Sequence, residues 1–169
     1  MSTVLEHAYH ESGHALVARA LGRPLEMISV SIEGGLTRTS EPAAAARTDE
    51  ELERTATIIL AGEVAQRYAP RVPLDAPSSA QNGHMELDAF TAGLIATAEG
   101  ADGPLDSDAL EQIRQKIGDE ALERSRTLAT ELIERQAVLG YLERVADQLL
   151  LYGVLTGDDL ETLLAPARA

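Results

Sequence analysis

Near its N-terminus the chain reads His10-Glu11-Ser12-Gly13-His14, an H-E-x-x-H arrangement. On an α-helix, residues four apart lie on one face about one turn up, so His10 and His14 can offer their imidazoles to a common cation. Glu11, adjacent to the first ligand, projects beside that cation. There its carboxylate can take a proton from zinc-bound water, whose pKa falls towards ~7. The chemistry implied is hydrolysis, with His10 and His14 as metal ligands and Glu11 as general base. Gly13 costs an isolated helix about 1 kcal/mol relative to Ala, so its presence points to another element packing closely at the site. The plainer alternative makes the histidines surface or core residues and Glu11 an ordinary helix former. Three of the chain's 4 histidines, His7, His10 and His14, nevertheless fall in this one stretch. His7 is expected to be exposed or to support the ligands rather than to join them, and Tyr9 to stand behind the site.

A catalytic zinc takes a third protein ligand and keeps a fourth position for water. The sequence has no cysteine, so that ligand must be His, Asp or Glu. Candidates are His84, Glu86 and Asp88, all just after a Pro/Ser-rich stretch and near a helix start. Spacing does not choose among them, and each has an alternative role in capping or in offsetting the helix dipole.

The elements that must carry these residues follow from periodicity and punctuation. Thr3 to about Leu21 reads as a helix stopped by Gly22 and Pro24. In Met27 to Ile32, apolar residues alternate with Ser29 and Ser31 ahead of Gly34-Gly35, and Leu36 to Ser40 is Thr-rich, which predicts a β-hairpin. Pro42 to Arg47 reads as a loop. Thr48 and Glu51 have capping-box spacing and open a helix through Leu52, Ile58, Leu60 and Val64 that should be largely buried. Pro70 to Gly83 reads as a surface loop, and Glu86 to Ala98 as a helix. After the Gly100 to Gly103 turn, one long helix is expected beyond Ser107, with Leu110, Ile113, Ile117, Ala121, Leu128 and Leu132 on a stripe weakened at Gly118. Val138 to Tyr152 forms another helix ending at Gly153, and Thr156 with Asp159 opens a short last one.

Composition narrows the function classes. The 169 residues suit a single domain, with residues 1–100 as catalytic core and 101–169 as helical tail. Hydrophobic residues are 44% of the chain but aromatics only 3%, so the core is built from Leu, Ala, Val and Ile, which suits packed helices. A net charge of -14 opposes binding to phosphate backbones or anionic lipid, which argues against a nucleic-acid partner. The longest apolar stretch falls short of the ~20 residues of a membrane span, and no basic-then-apolar signal pattern opens the chain, so a cytoplasmic location is expected.

With these residues in view, the chain resembles the zinc peptidase domain of the FtsH-type AAA protease family. The family's A-x-H-E-A-G-H-A helix is matched by Ala8 to Ala15, its hairpin by Met27 to Ser40, and its L-A-G helix by Leu60-Ala61-Gly62. Its helical tail is matched by Leu110 to Leu164, and the resemblance covers nearly the whole chain. It implies a mainly α fold with a small β-hairpin or sheet, an active-site helix and a helical bundle tail. The third zinc ligand it implies is an aspartate at a helix start after a Gly/Ser-rich loop, which maps best onto Asp88. The chain departs from the family at Ser12, at Gln66 and Arg67, and at Glu86-Leu87 before Asp88, which bears on the surroundings of the metal. No G-x-x-x-x-G-K-[ST] phosphate loop occurs, so the expected activity is ATP-independent zinc endopeptidase action on a polypeptide substrate. An extended peptide would add to the hairpin edge near Leu36 to Ser40, unless the hairpin serves only as a lid. Homo-oligomerisation or a separate ATPase partner would supply what the chain lacks. The rival readings are an inactive zinc-binding pseudoprotease that works as an interaction module through its Leu-rich tail, and a zinc hydrolase of a non-peptide substrate.

Overall fold

The computed structural model describes residues 3–40, 48–70 and 104–165. Helix α1 (Val4–Ala20) starts on a full capping box: the Thr3 side chain accepts from the Glu6 backbone, and the Glu6 side chain reaches back to the Thr3 backbone. Strands β1 (Leu25–Val30) and β2 (Gly35–Thr39) form the antiparallel hairpin, and α2 (Asp49–Gln66) opens on the Thr48/Glu51 capping box. Then come α3 (Pro104–Ile117), α4 (Asp119–Ile133), α5 (Gln136–Tyr152), β3 (Val154–Thr156) and α6 (Gly157–Leu164). The fold is mainly α with one small antiparallel sheet, in the order β2-β1-β3.

One apolar cluster runs from α1 through β1, α2, α4, α5 and β3 to α6. Ile28, Leu60, Ile133, Leu142, Leu149 and Leu160 are its largest fully buried members. Helix α1 is central, packed on α2, on α5 and on the inner face of the hairpin. Its middle turns are therefore buried on nearly all sides, from Ala8 and Tyr9 and again from Glu11 to Ala18.

Two expectations are corrected. The single long helix beyond Ser107 is two helices, α3 starting at Pro104 and α4 starting after Gly118. Gly118 has φ +84°, a left-handed conformation that L side chains rarely adopt and that an α-helix does not pass through. Leu128, placed on the apolar stripe of that helix, is 38% exposed. The small sheet extends the hairpin by one strand, as β3 pairs with β1 from Met27↔Thr156 to Ser29↔Val154. The loops expected at Pro42 to Arg47 and Pro70 to Gly83 lie largely or wholly outside the described residues, and the helix expected from Glu86 to Ala98 lies wholly outside them.

Candidate metal centre

His10, Glu11 and His14 occupy the middle of α1, and Asp106 in the first turn of α3 reaches the two histidines directly. The His10 and His14 rings stand with centroids 4.5 Å apart at 87°. Their Nε2 atoms lie 3.2 Å and 3.3 Å from one oxygen, Oδ2 of Asp106. Ligand atoms ~2.0–2.1 Å from a tetrahedral zinc stand about 3.3–3.4 Å from one another, so these separations suit edges of such a site. Two imidazoles and a carboxylate thus converge with the spacing and donor chemistry that zinc requires.

The surroundings orient this set. His14 Nδ1 donates to the Ile58 carbonyl of α2 at 2.8 Å, which fixes the ring and turns Nε2 towards Asp106, so that Nε2 is the nitrogen a metal would take once its proton is displaced. Gly62 of α2 lies directly against both rings. A Cβ there would stand 2.5 Å from His14 Cε1 and 2.7 Å from His10 Nε2, so only glycine leaves the imidazoles in place. Gly13 does the same for the helix pair, since its Cβ would fall 2.5 Å from the Ala65 Cβ. The closeness of α1 and α2 is therefore set by two glycines facing opposite helices. Ser12 is buried and donates to the Ala8 carbonyl at 2.6 Å.

Electrostatics follow from this convergence. Burial pushes the His14 pKa down, but the Asp106 hydrogen bond and the charges of Glu11 and Asp106 outweigh it, leaving the group raised to about 9 without a metal. Asp106 is pushed up by burial and held far below the usual carboxylate range by hydrogen bonds from His10 and His14. A carboxylate so firmly ionised is a ready metal ligand.

Glu11 is 5% exposed yet borders the cleft beside the histidines. Thr37 of β2 donates its hydroxyl to Glu11 Oε2 at 2.6 Å. The cleft, about 700 Å³, is lined by His10, Glu11, His14 and Asp106 together with Leu36 and Thr37 of the hairpin.

His7 stays apart from the three converging groups, with Nδ1 3.4 Å from the Ser31 carbonyl. Tyr9 is buried in the apolar cluster and is not part of the cleft lining, and burial, with the carboxylates Glu143 and Asp147 of α5, raises its pKa. Asp88, with His84 and Glu86, lies outside the described residues. Asp106 was not among the sequence candidates. The signal for it was present, since Gly103-Pro104 followed by an acidic residue in the first turn marks a helix start, and proline at the first helical position is favoured there.

A helix-borne pair of imidazoles and a carboxylate from a second helix are close enough together to hold one metal ion, and a buried glutamate borders the same cleft. No protein-family model matches the chain. It is similar to the ATP-dependent zinc metalloprotease FtsH 1 of Sorangium cellulosum, with 30% identity over an alignment that takes in 94% of this chain. That alignment spans 29% of the relative, so the chain corresponds to under a third of that protein's length. The similarity is that of a distant FtsH-related chain. Among the described residues no helix is long and apolar enough to cross a membrane.

Proposed function

We propose that this chain is a zinc-dependent peptidase domain of the FtsH type, with the metal held by His10, His14 and Asp106 and with Glu11 as general base. The observation that carries this reading is the approach of both Nε2 atoms to one Asp106 oxygen, at 3.2 Å and 3.3 Å, with Glu11 on the same cleft. Zinc bound there would polarise a scissile carbonyl and lower the pKa of water. Glu11 takes the proton from the attacking water and returns it to the leaving amine. His14, locked by the Ile58 carbonyl, keeps its donor nitrogen turned to the site. Among the described strands β2 is at a sheet edge, and an extended polypeptide adding beside it would run along the cleft past Glu11.

The test is zinc content together with degradation of an unfolded model protein, for wild type and Glu11→Gln. Equal zinc with cleavage only by wild type supports the reading. Equal zinc with no cleavage by either overturns it in favour of an interaction module. For the ligand set, Asp106→Ala is expected to lose zinc while Asp88→Ala retains it, and the reverse result would return the third position to Asp88.

A further inference from the structure

Strand β2 does more at this site than offer an edge. Its residues alternate faces, so Gly35, Thr37 and Thr39 share one side, and all three line the cleft with Glu11. The Thr37 hydroxyl lies 2.6 Å from Glu11 Oε2 and 3.2 Å from the Glu11 main-chain oxygen. Two residues earlier, a Cβ on Gly35 would stand 2.4 Å from Glu11 Cγ and 2.7 Å from Oε1. One position on the strand thus holds the glutamate by a hydrogen bond, and the other is kept bare so that the side chain fits. Since a hydroxyl has one proton, the short contact to Oε2 is the one it serves. Oε1, the oxygen beside Gly35, is then free to accept a proton.

We infer that Thr37 is the positioning residue for the general base: its hydroxyl fixes the Glu11 carboxylate by Oε2 and turns Oε1 to the reacting water, with Gly35 supplying the space. This rests on the hydrolytic reading above. A glutamate has three rotatable side-chain bonds, and a base that wanders by about 1 Å loses much of its advantage in rate. A purely structural role for Thr37, satisfying a buried carboxylate, would affect stability without separating kcat from KM.

The experiment uses the zinc-loaded full chain as wild type, Thr37→Val and Thr37→Ser, with cleavage of an unfolded model protein, zinc affinity and thermal midpoint measured in parallel. Thr37→Val is expected to lower kcat about 10–100-fold with KM within about twofold and zinc affinity unchanged, in the range typical of residues supporting a metal site. Thr37→Ser keeps the hydroxyl and should recover kcat to within a few-fold. The inference is overturned if the valine variant retains kcat, or if the serine variant is as slow as the valine variant. It is also overturned if the loss is confined to zinc affinity or the thermal midpoint. Acetohydroxamate binding by calorimetry separates this from failure of the hydrolytic reading, because a well-placed Glu11 carboxylate would take up the hydroxamate's acidic proton. If wild type binds zinc but cleaves nothing, about tenfold weaker acetohydroxamate binding by Thr37→Val alone still supports the inference, and equal binding by all three proteins overturns it.

Discussion

Where α1 crosses α2, the helices meet through Gly13, Ala61, Gly62 and Ala65, and the added methyl of an alanine at either glycine would collide within 2.5 Å. Around them lie buried polar groups, Glu11, Ser12, His14, Thr55 and Thr57, and no buried side-chain nitrogen or oxygen among the described residues lacks a hydrogen-bond partner. Where α4, α5 and α6 meet, the buried side chains are Leu132, Ile133, Leu142, Val145, Leu149 and Leu160, ordinary aliphatic core. The ion pairs Arg124–Glu53 and Arg19–Glu161 that tie α4 and α6 back to α2 and α1 are solvent-exposed, and such pairs contribute ~1 kcal/mol or less each. One packing is specified by shape and by hydrogen bonds that admit no spare atom. The other is specified by apolar volume alone. The first holds chemistry and the second holds the first in place.

That contrast is open to attack by substitution. Leu149→Ala, which hollows the aliphatic side, should cost about 2–5 kcal/mol in denaturant melts while zinc affinity stays unchanged. A large fall in zinc affinity would show that the bundle reaches the site. Gly62→Ala, on the tight side, adds one carbon against both rings, so a stability loss of about 1–3 kcal/mol should come with a 10–100-fold loss in zinc affinity by titration. Normal zinc binding in that variant would mean the crossing is looser than the distances imply.

The pH dependence of the metal-free protein also separates the two sides. His14 is raised from 6.5 to about 9, so its contribution is fully present below about pH 6.5 and lost as pH rises through 9. Asp106 is depressed, so its contribution is present above its ordinary value of 3.8 and lost as pH falls further. Thermal midpoints of chelator-treated protein should therefore be highest between about pH 4 and 6.5 and decline towards pH 10, with the alkaline decline flattened in Asp106→Asn. With zinc the alkaline slope should reverse, because metal binding displaces those protons. A zinc-loaded protein that follows the same decline would argue against His14 as ligand. The smallest effect belongs to Gly140→Ala in α5, where a Cβ meets nothing within 4 Å on an exposed helical surface. It should gain about 0.5–1 kcal/mol, the opposite sign to Gly62→Ala.

Much of the local structure was legible in advance. The capping boxes at Thr48 and Thr156 mark their helix starts within a residue, because each reports backbone hydrogen bonds made by side chains three positions away. The hairpin was visible in its alternation. The Gly118 break was underread: a helical stripe continues across it in sequence, while the residue itself takes a positive φ between α3 and α4. Strand β3 was missed because three residues carry no periodicity.

The amino-acid order by itself determined that His10 and His14 share a face of α1 with Glu11 beside the first of them, since a helical turn is a local property of the chain. Only the tertiary structure decided which carboxylate meets those rings, which glycine clears room for them and which strand hydroxyl grips the glutamate. Asp106, Gly62 and Thr37 reach the centre from three separate elements, and what brings those elements together is burial of apolar surface, which acts without regard to sequence separation.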